Sequence, residues 1–243
     1  MTLLVNQLDS DILYPSSDST LIAESDPARD YLIYCVESLS IFFENRQDVY
    51  VSGNLFIYYK QGVPDAVVAP DVFVVFGVEK KKRQSYKVWQ EANKVPTFVL
   101  EVTSKTTQEK DEEDKPKKYQ RLGVLEYFQF DPTGEYLQPQ LKGSRLINGQ
   151  YQLISPTPLP SRGLSLRSEV DLELHLNAGE LRFFNPQSGQ KLLSPAETSQ
   201  ALQQEIQVRQ SAVPRLLEMG LSVKQVAEAL SLSINEVRQL ANS

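Results

Sequence analysis

The sequence predicts a mixed α/β or α+β core followed by a C-terminal helical extension. Three observations lead there. Apolar residues recur at helical spacing soon after residue 28. Two dense apolar runs, 67–76 and 97–103, read as strands buried on both faces. A Gln- and Glu-rich stretch of helical period begins near residue 195. With 243 residues, 41 % hydrophobic and 23 % charged, the chain suits one domain plus a small appendage. We place an arm at 1–27, the main domain at 28–190 and a helical tail at 191–243.

Taken in order, the arm is rich in Ser, Asp and Pro and reads as poorly ordered or wrapping. Leu32, Val36, Leu39 and Phe43 then mark a helix, with Asp26 as its N-cap and Pro27 at its first position. Cys35 is a small core residue of that helix. Val49-Tyr50-Val51 and residues 54–59 are strand-like, and Gly62-Val63-Pro64 is a loop. Val67 to Phe76 reads as one central strand. A polar excursion over 80–94 separates it from the next, Thr97 to Thr103. Residues 109–122 are charged and helix-compatible, with Pro116 in the first turn or at a kink and Gly123 as the C-cap. Leu125 to Phe130 is again a strand, stopped by Asp131-Pro132, and shorter strands follow through Phe184.

The tail ends in a stretch that resembles a helix-turn-helix. Val223, Val226, Ala227 and Leu230 share one face, Ser231-Leu232 turns the chain, and Ile234, Val237 and Leu240 share the next face. Among Asn235, Glu236, Arg238 and Gln239, the exposed positions of the second helix, only one is a cation. That favours a packing unit, for dimerisation or a partner, over a DNA reader.

Composition removes several classes of function. A single cysteine forms no internal disulfide, and a single histidine, His175, leaves no multi-histidine zinc site. His175 alternates with Glu173 on what reads as the solvent side of a strand. No run of about 18 apolar residues suggests a membrane span, and the N-terminus lacks the pattern of a signal peptide. A cytoplasmic protein without membrane association is the expectation. The net charge of −6 argues against a coating-type nucleic-acid binder. Two basic clusters stand out locally, Lys80 to Arg83 with Lys87, and Lys115 to Arg121.

Two carboxylates break the apolar pattern. Asp71 heads one buried strand and Glu101 interrupts another between Leu100 and Val102. An ionised carboxylate in such a place needs a cation, strong hydrogen bonds or a raised pKa. One solution is an internal salt bridge to a nearby lysine. The other is Mg²⁺ (or Mn²⁺), which takes one or two carboxylates, keeps waters and phosphate oxygens, and requires no histidine. A lysine beside the pair would orient water, move a proton or neutralise phosphoryl charge. Lys105 and Lys115 are the candidates. A helix from about 112 to 122 would put Lys115, Lys118 or Tyr119, and Leu122 on one side.

Pro70-Asp71, Glu101-Val102-Thr103-Ser104, Asp111 with Lys115 and Tyr119, and Gly123 to Phe128 ending in Asp131-Pro132 together resemble the Uma-two family of restriction endonucleases, within the PD-(D/E)XK nuclease superfamily. The resemblance runs over roughly residues 30–190. It implies a restriction-endonuclease-like core with a four-stranded central mixed sheet flanked by helices and a metal site at one sheet edge. Asp71 and Glu101 match the metal-binding carboxylates, and Lys115 matches the family's catalytic lysine. Lys105 is the weaker choice. Thr103 stands where the superfamily pattern has lysine. Glu37 or Glu44 on the first helix would serve as an auxiliary metal or water ligand. The reading is therefore a Mg²⁺-dependent DNA endonuclease, acting as a homodimer, with catalytic Asp71, Glu101 and Lys115 and no small-molecule cofactor. Its alternative is a nuclease-fold protein with weak or no catalysis that binds nucleic acid or regulates.

Overall fold

The computed structural model describes residues 14–15, 25–104 and 114–241, which form five helices and thirteen strands in three sheets. Helix α1 spans Asp26–Phe42. Its cap lies one residue earlier than the sequence suggests: the Ser25 hydroxyl accepts from the Ala28 N–H, which leaves Asp26 in the first turn, where its charge suits the helix dipole. The buried face is also rotated. Tyr34, Cys35, Ser38 and Leu39 are buried, while Leu32 and Val36 are only partly so. Polar groups tolerate that face because they find partners. Ser38 donates back to the Tyr34 carbonyl at 2.6 Å, and the Tyr34 hydroxyl accepts from the Phe183 N–H and donates to the Leu192 carbonyl.

The central sheet has six strands rather than four. These are β1 (Val49–Ser52), β4 (Val72–Phe76), β6 (Phe98–Val102), β7 (Glu126–Phe130), β8 (Leu141–Ile147) and β9 (Gln150–Leu153), adjacent in that order. Only β6 and β7 pair in parallel, so the sheet is mixed. The run from Val67 to Phe76 is not one strand. Pro70 carries no N–H for a ladder, and β3 (Val67–Val68) leaves to pair with β2 (Ile57–Tyr58), which also holds β5 (Tyr86–Lys87) in a small separate sheet.

Side-chain alternation divides the central sheet into two faces. Val72, Val74, Phe98, Leu100, Phe128 and Phe130 pack into a core with Tyr34, Cys35 and Leu39 of α1. That same core takes residues from a four-stranded antiparallel sheet, β10 (Thr157–Pro158), β11 (Leu164–Ser168), β12 (Leu172–Asn177) and β13 (Glu180–Phe184). On the other face Phe73, Val75, Val99 and Tyr127 meet Tyr119 of helix α2 (Lys115–Leu122) together with Ile57, Val68 and Tyr86 of the small sheet. Pro116 sits in the first turn of α2, and Gly123 ends it with a left-handed φ of 85°. His175 lies on β12 beside Glu173 at 2.9 Å and stacks on Phe184.

The first basic cluster is tied into this fold. Lys80 donates to the carbonyls of Phe43 and Glu44 at the end of α1. Arg83 grips Glu91 with two hydrogen bonds of 2.8 and 2.9 Å while lying over the Tyr50 ring.

The chain divides into two compact units, Met1–Leu192 and Leu193–Ser243. The second holds α3 (Pro195–Glu218), α4 (Val223–Leu230) and α5 (Ile234–Ala241) around buried Val213, Val226, Ala227 and Val237. Ser194 and Ser222 start α3 and α4 with reciprocal capping boxes. Ser231, between α4 and α5, adopts φ 52°, a conformation better suited to glycine. No helix among the described residues is long and apolar enough to cross a membrane.

Candidate active site

Strand register brings the two misplaced carboxylates together. Val72 of β4 pairs with Leu100 of β6, so one step further puts Asp71 opposite Glu101 on the same face of the sheet. The Asp71 N–H donates to Glu101 Oε2 at 3.3 Å, and the Val102 N–H donates to Asp71 Oδ2 at 2.8 Å. Both strands lie inside the sheet, so the pair sits at the ends of interior strands and not on an edge strand.

Helix α2 supplies the remaining groups. Its three-to-four-residue period turns Lys115, Tyr119 and Leu122 toward the sheet and leaves Lys117, Lys118 and Arg121 exposed. The Lys115 ammonium pairs with Glu101 Oε2 at 2.8 Å, and the Tyr119 hydroxyl donates to Glu101 Oε1. Glu101 is fully buried, whereas the Lys115 side chain is 22 % exposed and so reaches both the carboxylate and solvent.

The two carboxylates differ electrostatically. Burial, followed by the adjacent Glu101 charge, raises the Asp71 carboxyl well above the usual carboxylate range, and Lys115 opposes this only in part. Glu101 instead has partners on both oxygens. Tyr119 is likewise pushed well above the ordinary phenol value by burial and by Glu101, which keeps its proton on the oxygen as a donor.

Of the residues the sequence points to, Asp71, Glu101 and Lys115 converge. Lys105 lies outside the described residues, as does Asp111. Glu37 and Glu44 are exposed, and among the described residues no third His, Cys, Asp or Glu joins Asp71 and Glu101. Glu37 lies on the exposed side of α1, and Glu44 follows the helix beyond Phe42, so α1 does not add the auxiliary carboxylate.

Sequence reasoning put Tyr119 on the side of Lys115 without assigning it a role. It missed a polar row across the sheet, because that row exists only once strand order is known. Glu101 pairs in register with Gln129 of β7, and Gln129 with Lys142 of β8. It also missed Gly53. A Cβ there would stand 2.2 Å from the Asp71 carbonyl oxygen, and the next residue's N–H donates to the Pro70 carbonyl at 3.0 Å. Gly53 and Asn54 thus brace the backbone that presents Asp71.

Two hard carboxylate oxygens beside a lysine suit a hydrated Mg²⁺ or Mn²⁺. Close by, Thr103 Oγ1 is a buried hydroxyl without a hydrogen-bond partner among the described residues, a further oxygen open to such a group. The residues present thus fit such a cation, which Asp71 and Glu101 would hold.

No curated protein matches the chain. Among solved structures it is similar to one from Anabaena variabilis described as a "putative nuclease belonging to DUF820". The identity is 12 % and the TM-score 0.41, over 58 % of this chain and 75 % of that one. The Uma2 family model, described as "Putative restriction endonuclease", matches residues 23–210, a span that contains Asp71, Glu101 and Lys115. On that match, covering most of its length, the chain belongs to the Uma2 family.

Proposed function

We propose that the chain is a Mg²⁺- or Mn²⁺-dependent endonuclease that hydrolyses phosphodiester bonds in DNA. One observation carries the reading: Asp71 and Glu101 face each other across adjacent strands, with Lys115 2.8 Å from Glu101. Like charges directly opposite in a sheet repel, so the pair calls for a cation that one lysine supplies only in part. When bound, the divalent ion supplies positive charge to the phosphoryl group and acidifies a water for attack on phosphorus. Asp71 and Glu101 hold it. Tyr119 fixes the rotamer of Glu101. The Lys115 ammonium reaches from Glu101 toward solvent, where it stabilises negative charge developing on the phosphoryl oxygens. Cutting both strands takes two such sites, so a twofold dimer belongs to this proposal, with DNA as substrate and the cytoplasm as location.

Nicking of supercoiled plasmid tests it. The wild type should nick only with Mg²⁺ or Mn²⁺, and Asp71→Ala and Lys115→Ala should each lose about 10²-fold or more. Equal nicking by wild type and Asp71→Ala overturns the proposal. One observation favours the second reading, a binding or regulatory protein of nuclease fold. Glu101 is already satisfied by Lys115, Tyr119 and the Asp71 N–H, as a purely structural ion pair would be. Cation-independent DNA binding without cleavage would support that reading.

A further inference from the structure

Thr103 is the one described residue with a buried side-chain oxygen or nitrogen that lacks a partner among the described residues. It is 1 % exposed, so water does not routinely compensate it. Its N–H donates to the Phe130 carbonyl at 2.7 Å, which continues the β6–β7 ladder one residue past Val102. Thr103 therefore keeps strand alternation and projects to the same face as Glu101, two residues before it. That face also carries Asp71, Lys115 and Tyr119. A buried hydroxyl left unpaired is costly, and valine would fill the same volume without that cost. The oxygen has two lone pairs and is of the hard type that Mg²⁺ and Mn²⁺ accept.

We propose that Thr103 Oγ1 belongs to the coordination shell of the cation held by Asp71 and Glu101, as a ligand or through one of its waters. This rests on the cation-dependent reading of the site. Thr103 then helps to hold the cation, and the lone hydroxyl finds its partner only when the cation is bound.

Calorimetric titration of the full chain with Mn²⁺ tests the assignment without reference to cleavage. Asp71→Asn and Thr103→Val should each weaken Mn²⁺ binding by about 10-fold or more, and Thr103→Ser should restore most of it. Without cation, Thr103→Val should melt at or above the wild-type temperature, because it removes an unsatisfied group. If Asp71→Asn weakens binding and Thr103→Val does not, the Thr103 assignment falls and the cation site stands. If the wild type binds no Mn²⁺, or Asp71→Asn binds it as tightly as the wild type, both fall. A Thr103→Val melt well below wild type without cation would show an internal partner for the hydroxyl and overturn the assignment.

Discussion

At the scale of single residues, the site is a set of polar groups placed where the surrounding pattern asks for apolar ones. Asp71 and Glu101 could be read from the sequence for that reason: each contradicts the strand around it. Gln129 and Lys142 could not, because each is unremarkable in its own strand and gains its place only from register. The asymmetry between the two carboxylates was equally hidden, since it depends on α2 reaching back to Glu101 and leaving Asp71 with less. That asymmetry has a consequence for stability. Asp71 has a folded-state pKa raised above its unfolded value, so its contribution to stability is fully present at acid pH and is lost as pH rises through the raised value. Asp71→Asn removes this loss. In the absence of divalent cation it should raise the melting temperature at pH 7–8 by about 2–4 °C, roughly 1 kcal/mol for a chain of this size. The difference should shrink as pH falls and vanish below about pH 3, under the unfolded carboxyl's pKa of about 3.9, where the group is protonated in both states. A mutant that melts lower than wild type at pH 8 would show that Asp71 is charge-paired. Glu101→Ala should behave oppositely and destabilise by about 3 kcal/mol or more, because it strands Lys115 and Tyr119.

At the scale of elements, helices and strands were legible where the period was strong and failed where a single residue redirected the chain. Pro70 splits an apolar run that composition alone presents as one strand, and this split frees Asp71 to stand at a strand start with its N–H turned to Glu101. Helix α2 was readable in period and in both punctuating residues, Pro116 and Gly123, but its tertiary role was not. The turn at Gly53 and Asn54 gave no sequence signal beyond a glycine, yet it sets how closely β1 can approach the Pro70–Asp71 backbone. An alanine at 53 would also bring its Cβ to 2.8 Å from Val36 Cγ2 of α1, so neither neighbour can yield cheaply. Gly53→Ala should therefore cost about 1–3 kcal/mol and displace Asp71. Thermal melts should show the loss, and plasmid nicking should fall even at temperatures where the variant is folded. Unchanged melting and unchanged nicking would show that the turn has slack enough for a methyl group and would overturn this account of Gly53.

At the scale of the molecule, every group of the proposed site lies in the first compact unit, and the second is a separate three-helix cluster with its own buried valines. The exposed positions Asn235, Glu236, Arg238 and Gln239 of α5 carry a single cation, and residues 193–243 sum to one net negative charge, a poor footing on a phosphate backbone. Leu192, the last residue of the first unit, is fastened within it: its N–H donates to the Phe183 carbonyl and its own carbonyl accepts from Tyr34. The family match runs on to residue 210, part way along α3. Two truncations separate these boundaries. Chains ending at 192 and at 210 should both melt cooperatively and both retain cation-dependent nicking within about 10-fold of the full chain, since neither loses a carboxylate, Lys115 or Tyr119. If the longer chain cleaves and the shorter is folded but inactive, the first half of α3 belongs to the nuclease. If both are folded and inactive, the helical unit is needed for DNA capture or for pairing two copies, and light scattering of the truncated chains distinguishes the two. A dimer that becomes a monomer on truncation points to pairing, and a preserved dimer points to capture.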